Sequence, residues 1–282
     1  MKNVLRYIIA IVLTILIITF LLINLLSSTI LSEKYMLSKL EETDYYNKMY
    51  NYVQSCFENY INQSGLDENV LDNIVSKEKI KKDTKIIISN IYDGTNEKID
   101  TQEIKDNLDN NINKSLKNQK LNANQKESIN TFISEITNEY KNAMSHTSYE
   151  KQINNVYSKI MKYIDVVKKV LLVTILLFAI ILVLLCLNRV YRIFTMLGIT
   201  MLSSGLFFTI TDIYINTKIK IQTITILNDA VSDTVRNILQ EILDTMKDQS
   251  LILMAAGICF IIIPCIIHYY IRLKNEKDTK GV

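Results

Sequence analysis

The stretch from Lys168 to Ile215 constrains this chain more than any other. Val170 to Leu187 is a charge-free apolar run of about the length that crosses a bilayer core as a helix. Ile193 to Ile210 is a second, slightly more polar one. Between them lies Asn188-Arg189-Val190-Tyr191-Arg192, too short for anything but a tight turn. Two arginines in so short a loop place it on the cytoplasmic side. This hairpin then assigns a side of the membrane to every other segment.

Two further runs complete the set. Tyr7 to Leu26 trails into Leu31 and follows Lys2 and Arg6. It is longer than the roughly 7–15 residues of a cleaved signal peptide and lacks a clean small-residue cleavage site, so an uncleaved first span is expected. Leu251 to Ile271 is the fourth, followed by a net-positive tail beginning Arg272-Leu273-Lys274. The expected order is a cytoplasmic start (1–6), span one (7–31), a large outside domain (32–166), span two (167–187), the turn (188–192), span three (193–213), a smaller outside segment (214–249), span four (250–271) and a cytoplasmic tail (272–282). Lys2, Arg6, Arg189, Arg192, Arg272 and Lys274 are the residues that set this topology. From Glu33 to Asp165 there are 21 acidic and 18 basic residues, every basic one lysine. Lys168 and Lys169 run against the rule and are read as snorkelling to lipid phosphates.

Six glycines and one proline argue for long helices rather than strands and turns. The periodicity of the large outside segment is helical throughout. Met49, Val53, Cys56 and Tyr60 mark one stripe, ended near Gly65. Asp67 is placed to cap a short helix carrying Val70, Leu71, Ile74 and Val75. Ile80, Thr84, Ile87, Ile88 and Ile91 mark the next, ended by Gly94. Asp100 and Glu103 have capping-box spacing ahead of Ile104, Leu108, Ile112 and Leu116. Ile129, Phe132, Ile133, Ile136 and Tyr140 follow. Last, Tyr149, Ile153, Val156, Ile160, Tyr163 and Val167 form a heptad seam running into span two. The first and last of these helices are read as continuous with membrane helices, and an antiparallel bundle is the economical way to bury the stripes between them. In the smaller segment, Ile224, Leu227, Val231, Val235, Ile238, Ile242 and Met246 share a face; its polar face is acidic, which favours packing on the bundle over lying in the interface. The expected fold class is an all-α integral membrane protein: four transmembrane helices, an antiparallel helical-bundle extracellular domain between helices 1 and 2, and a smaller helical extracellular segment between helices 3 and 4.

Chemistry is sparse. His146 and His268 fall on opposite sides of the membrane, so they share no site. There is no HExxH, CxxC pair, GxSxG, P-loop or GxGxxG. Cys56 is the lone cysteine of the large polar segment, read as a small buried hydrophobe. Carboxylate clusters such as Glu41, Glu42 and Asp44 are read as solvated faces. Spans one, two and four carry no ionisable residue near their centres, which argues against a pump. Gly198, Ser203, Ser204 and Gly205, facing Ala255, Ala256 and Gly257, read as close helix packing. Tyr45, Tyr46, Tyr50 and Tyr52 crowd one helix and are the expected partner-binding surface.

The expectation is thus a non-enzymatic envelope protein of a bacterial plasma membrane, the bacterial origin resting on a composition rich in Lys, Asn and Ile. It has both termini inside and no cofactor. Its contacts are the lipid bilayer, a protein partner in the membrane or envelope, and a second copy of itself through the heptad seam. Nucleic-acid binding is excluded by the balanced charge of the outside face. The alternative is a transport-associated subunit. One large outside domain after span one and a smaller one after span three is similar to the layout of cell-division-type ABC permease subunits, a likeness of topology alone.

Overall fold

The computed structural model describes residues 2–64, 66–116, 122–144, 147–187 and 190–280. Among these residues every regular element is helical. Four stretches are long and apolar enough to cross a membrane: Val4–Ser28, Asn155–Cys186, Val190–Thr223 and Asp229–Ile266. The chain divides into an apolar unit (residues 1–29, 163–223 and 239–282) and a polar unit (residues 30–162 and 224–238).

The apolar unit contains α1 (Lys2–Ser28), the later part of α7 (Thr147–Cys186), α8 (Val190–Lys218) and most of α9 (Asp229–Lys280). Ile9 and Leu13 of α1 are buried with Leu182 of α7 and Met196 of α8. Arg6 is buried, and its Nε donates to the Leu185 carbonyl at 3.0 Å. The last carbonyls of a helix have no partner within it and carry the negative end of its dipole. Arg6 therefore answers both needs of the α7 terminus. α8 and α9 meet through glycines: a Cβ on Gly257 would lie 2.8 Å from the Gly198 carbonyl oxygen, and one on Gly205 3.0 Å from that of Ser250. This is the small-residue packing expected from the sequence, with backbones in near contact. Ser250 Oγ adds a hydrogen bond to the Gly205 carbonyl at 2.9 Å. α8 already begins at Val190, so Tyr191 and Arg192 stand in its first turn rather than in a loop. α9 continues helically past Pro264.

The polar unit is built from α2 (Glu33–Glu42), α3 (Tyr45–Ser64), α4 (Lys77–Asp93), α5 (Gln102–Ser115), α6 (Ala123–Met144), the early part of α7 and the start of α9. Its core is Met49, Val53, Phe57 and Ile61 of α3, packed with Ile80, with Ile104, Leu108 and Ile112 of α5, and with Phe132, Ile136 and Tyr140 of α6. The α3 stripe steps by four throughout, so Phe57 and Ile61 take the core positions assigned above to Cys56 and Tyr60. Cys56 and Tyr60 are half-buried at its edge.

Local detail departs from expectation where polar side chains make other bonds. α1 stops at Ser28 and α2 starts afresh, because the Ser32 hydroxyl accepts from the Tyr35 amide at 3.4 Å and caps the new helix. The first helix of the polar unit is therefore not an extension of span one, whereas α7 does run unbroken into span two. The segment after Asp67 is one 3-10 turn, Glu68–Leu71. Asn111 holds it by donating to the Val70 and Asp72 carbonyls at 3.2 and 2.8 Å. Thr101 occupies the α5 N-cap in place of the capping box expected from Asp100 and Glu103. A reciprocal cap forms instead at α6: the Asn122 amide donates to Gln125 Oε1 at 3.0 Å, and the Gln125 amide to Asn122 Oδ1 at 2.9 Å. Gly94 closes α4 in the left-handed conformation, φ 71°.

The smaller polar segment packs on the bundle. Asn228 caps α9, its Oδ1 accepting from the Val231 amide at 3.0 Å. Asp233 takes a 2.6 Å ion pair from Lys48, and the Thr234 and Thr43 hydroxyls share a 2.7 Å hydrogen bond. Ala230 joins the core cluster. Residues 224–227 lie ahead of α9, so Ile224 and Leu227 belong to a loop rather than to its apolar stripe.

Candidate functional site

α3 carries the tyrosines that the sequence offers as a binding face. Each of Tyr45, Tyr46, Tyr50 and Tyr52 is half-buried and packs against the core, so none stands free. Tyr45 meets Tyr46 edge-on, with centroids 5.8 Å apart. The Lys81 ammonium lies 5.4 Å from the Tyr46 ring and pairs with Glu41 at 2.6 Å. Lys77 lies 5.8 Å from the Tyr50 ring. Two of the four rings thus already hold this chain's own cations.

Burial sets the chemistry of this face. It pushes the Tyr45 hydroxyl up to about 12, with Tyr46 adding to the effect. It also raises Tyr46, helped by the Glu41 carboxylate, and raises the Cys56 thiol. A thiol held protonated is a poor nucleophile, and Cys56 is half-buried rather than the buried hydrophobe expected. Tyr60 is raised chiefly by its hydrogen bond to Glu139, 3.0 Å long.

Beside Tyr50 the surface opens into a cleft of about 620 Å³, lined among others by Gln54, Glu58, Glu68 and Asp72. Three carboxylates, an amide oxygen and a phenol oxygen can accept hydrogen bonds from cationic groups. Among the described residues no three His, Cys, Asp or Glu side chains come close enough to hold a metal ion. Of the four tyrosines, only Tyr50 lines this opening.

One constellation escaped the sequence reading. Lys79 donates to both oxygens of Asp83 at 2.7 and 2.6 Å, and the Tyr140 hydroxyl donates to Asp83 Oδ2 at 2.6 Å. Asp83 and Tyr140 are fully enclosed and Lys79 nearly so. Burial, with the bond to Asp83 next, drives the Tyr140 hydroxyl far above its ordinary range. The available signal was positional. Asp83 sits three residues after Ile80 and four before Ile87, on the apolar face of α4, while Tyr140 ends the apolar stripe of α6. The triad joins two helices and is enclosed by them, which suits it to hold structure.

The topology residues divide by what the structure describes. Arg6, Tyr7, Tyr191 and Arg192 line one cleft of about 310 Å³ at the same end of the apolar unit. Lys2 opens α1, and Arg272 and Lys274 fall within α9. Arg189 lies outside the described residues, as does His146.

No protein-family model, curated protein or solved structure matches the chain.

Proposed function

We propose that this is a non-enzymatic multi-pass protein of a bacterial plasma membrane, with both termini in the cytoplasm, whose polar unit stands outside and binds a protein partner through the Tyr50 cleft. The observation that carries this reading is the chemistry of that cleft, where Glu58, Glu68 and Asp72 line the same opening as Tyr50. Such a lining suits a partner segment bearing lysine or arginine side chains, with an aromatic contact beside them. The side assignment draws on Arg6 and Arg192 sharing one end of the apolar unit, with tyrosines at the same depth.

The permease-like alternative needs a coupling helix on the inside. α7 ends at Cys186 and α8 begins at Val190, which leaves no room for one there.

The test is a photoreactive side chain at position 54 in the intact cell. A protein adduct should form there. Glu68→Gln with Asp72→Asn should weaken it by roughly tenfold, as the loss of about 1.4 kcal/mol of binding would. Position 54 yielding no adduct, or an adduct indifferent to those charges, would remove the cleft as the site.

A further inference from the structure

A second concavity lies in the polar unit, of about 460 Å³, walled by Ile30 and Leu31, Ile88 and Ile91, Val156 and Ile160. Tyr92 and Tyr157 also line it, their rings edge-on with centroids 4.7 Å apart. The polar atoms beside it are already engaged. Tyr92 Oη donates to the Ile30 carbonyl at 2.6 Å, and Tyr157 Oη to the Leu31 carbonyl at 3.1 Å. A peptide laid in this groove would bring backbone amides and carbonyls and find no partner for them, at the cost of burying unsatisfied polar groups. A hydrocarbon chain makes no such demand.

The chain also delivers this groove to hydrocarbon. Ile30 is the second residue beyond the end of α1, and Val156 and Ile160 lie on α7, the helix that carries span two. At about 1.5 Å per residue, Ile160 lies about 15 Å along α7 from Val170, where the charge-free run begins. Val156 and Ile160 are 58% and 41% exposed, and the exposed apolar face continues along α7 through Tyr163, Val167 and Val170. The lipid-facing surface of the span and the groove wall are thus one continuous helix face.

We infer that this groove holds one acyl chain of a membrane phospholipid from the leaflet next to the polar unit. The chain lies against Ile91 and Ile88 while its headgroup stays in the interfacial layer. The site rests on the membrane reading but not on which side the polar unit occupies. It involves no residue of the Tyr50 cleft, so either site can fail without the other.

The experiment uses the full chain in vesicles of phosphatidylglycerol and phosphatidylcholine, with a trace of phospholipid bearing a diazirine on one acyl chain. After irradiation, adducts are mapped by mass spectrometry. Spans will label in any case; the informative segment is Ile88–Tyr92 at the end of α4, which is no part of a span. Adducts are expected there, falling roughly tenfold in Ile91→Trp, the effect of a decade lost in affinity. If Ile91→Trp fails to fold, Ile160→Trp fills the groove from the other wall. Labelled spans with a silent Ile88–Tyr92 segment would overturn the proposal. So would efficient disulfide linkage between two copies of an Ile91→Cys chain, which would make a second copy the occupant.

Discussion

The Tyr140 hydroxyl donates to Asp83 Oδ2 across 2.6 Å in the centre of the polar unit, with both side chains fully enclosed. Lys79 completes the arrangement, and its Nζ also lies 5.9 Å from the Tyr140 ring. The carboxylate thus accepts from an ammonium on its own helix and from a phenol on another. Buried charges of this kind persist only when every hydrogen-bonding position is answered.

Removing Asp83 should therefore be costly. Asp83→Ala leaves an ammonium and a phenol without their acceptor and should destabilise the polar unit by about 3–5 kcal/mol. Tyr140→Phe, which removes one donor and keeps the ring, should cost about 1–3 kcal/mol. Denaturant unfolding followed by circular dichroism reads both. An Asp83→Ala chain as stable as the parent would show that the triad contributes nothing.

Alkaline pH should weaken the same unit. Tyr45 is pushed up to about 12, and Tyr140 and Tyr92 are raised further, in each case chiefly by burial. The folded state thus keeps protons that the unfolded chain gives up near pH 10. Stability is flat with respect to these groups below about pH 10 and falls above it, by at most about 1.4 kcal/mol per pH unit for each tyrosine. Tyr45→Phe should make that fall shallower. A stability that rises above pH 10 would reverse the sign.

The α8–α9 contact should tolerate no added carbon. A Cβ on Gly257 would meet Leu202 Cγ at 2.7 Å as well as the Gly198 carbonyl. Gly257→Val should cost about 1–3 kcal/mol through overpacking, read as a lower melting temperature in detergent. Unchanged melting would mean that these helices do not meet there.

The docked start of α9 offers a graded comparison. Asn228→Ala removes an N-cap and should cost about 1 kcal/mol. Asp233→Asn breaks the ion pair to Lys48, whose ends are each more than a third exposed, and should cost less than about 1 kcal/mol. Melting curves of the two variants, compared side by side, check the order.

The features legible in the sequence are those written in short-range periodicity. Ile104, Leu108 and Ile112 repeat every four residues and are all buried. Gly94 announces the end of α4 by its own conformational freedom, and Gly198, Gly205 and Gly257 announce a close helix crossing. What escaped depends on partners far apart in the chain. Asp83 looks like one more solvated carboxylate until Tyr140, 57 residues away, is brought to it. Ile30, Ile88 and Val156 form one wall system only after a turn and two helices assemble. Spacing alone points to a cap at Asp100 and Glu103, whereas the reciprocal cap forms at Asn122 and Gln125, where the same geometry is made by amides. The four tyrosines share α3, as their spacing implies. Spacing carries no sign that Lys77 and Lys81 cover two of the rings.

The most direct measurement is of sidedness. In a chain carrying Cys56→Ser, Cys186→Ser, Cys259→Ser and Cys265→Ser, a single thiol is introduced either as Asn51→Cys, at an exposed position of α3, or as Leu187→Cys, just past the end of α7. Intact cells are then treated with a membrane-impermeant maleimide. Asn51→Cys should label at once and Leu187→Cys only after permeabilisation. The opposite pattern would put the polar unit in the cytoplasm and contradict the outside placement from which the partner reading follows.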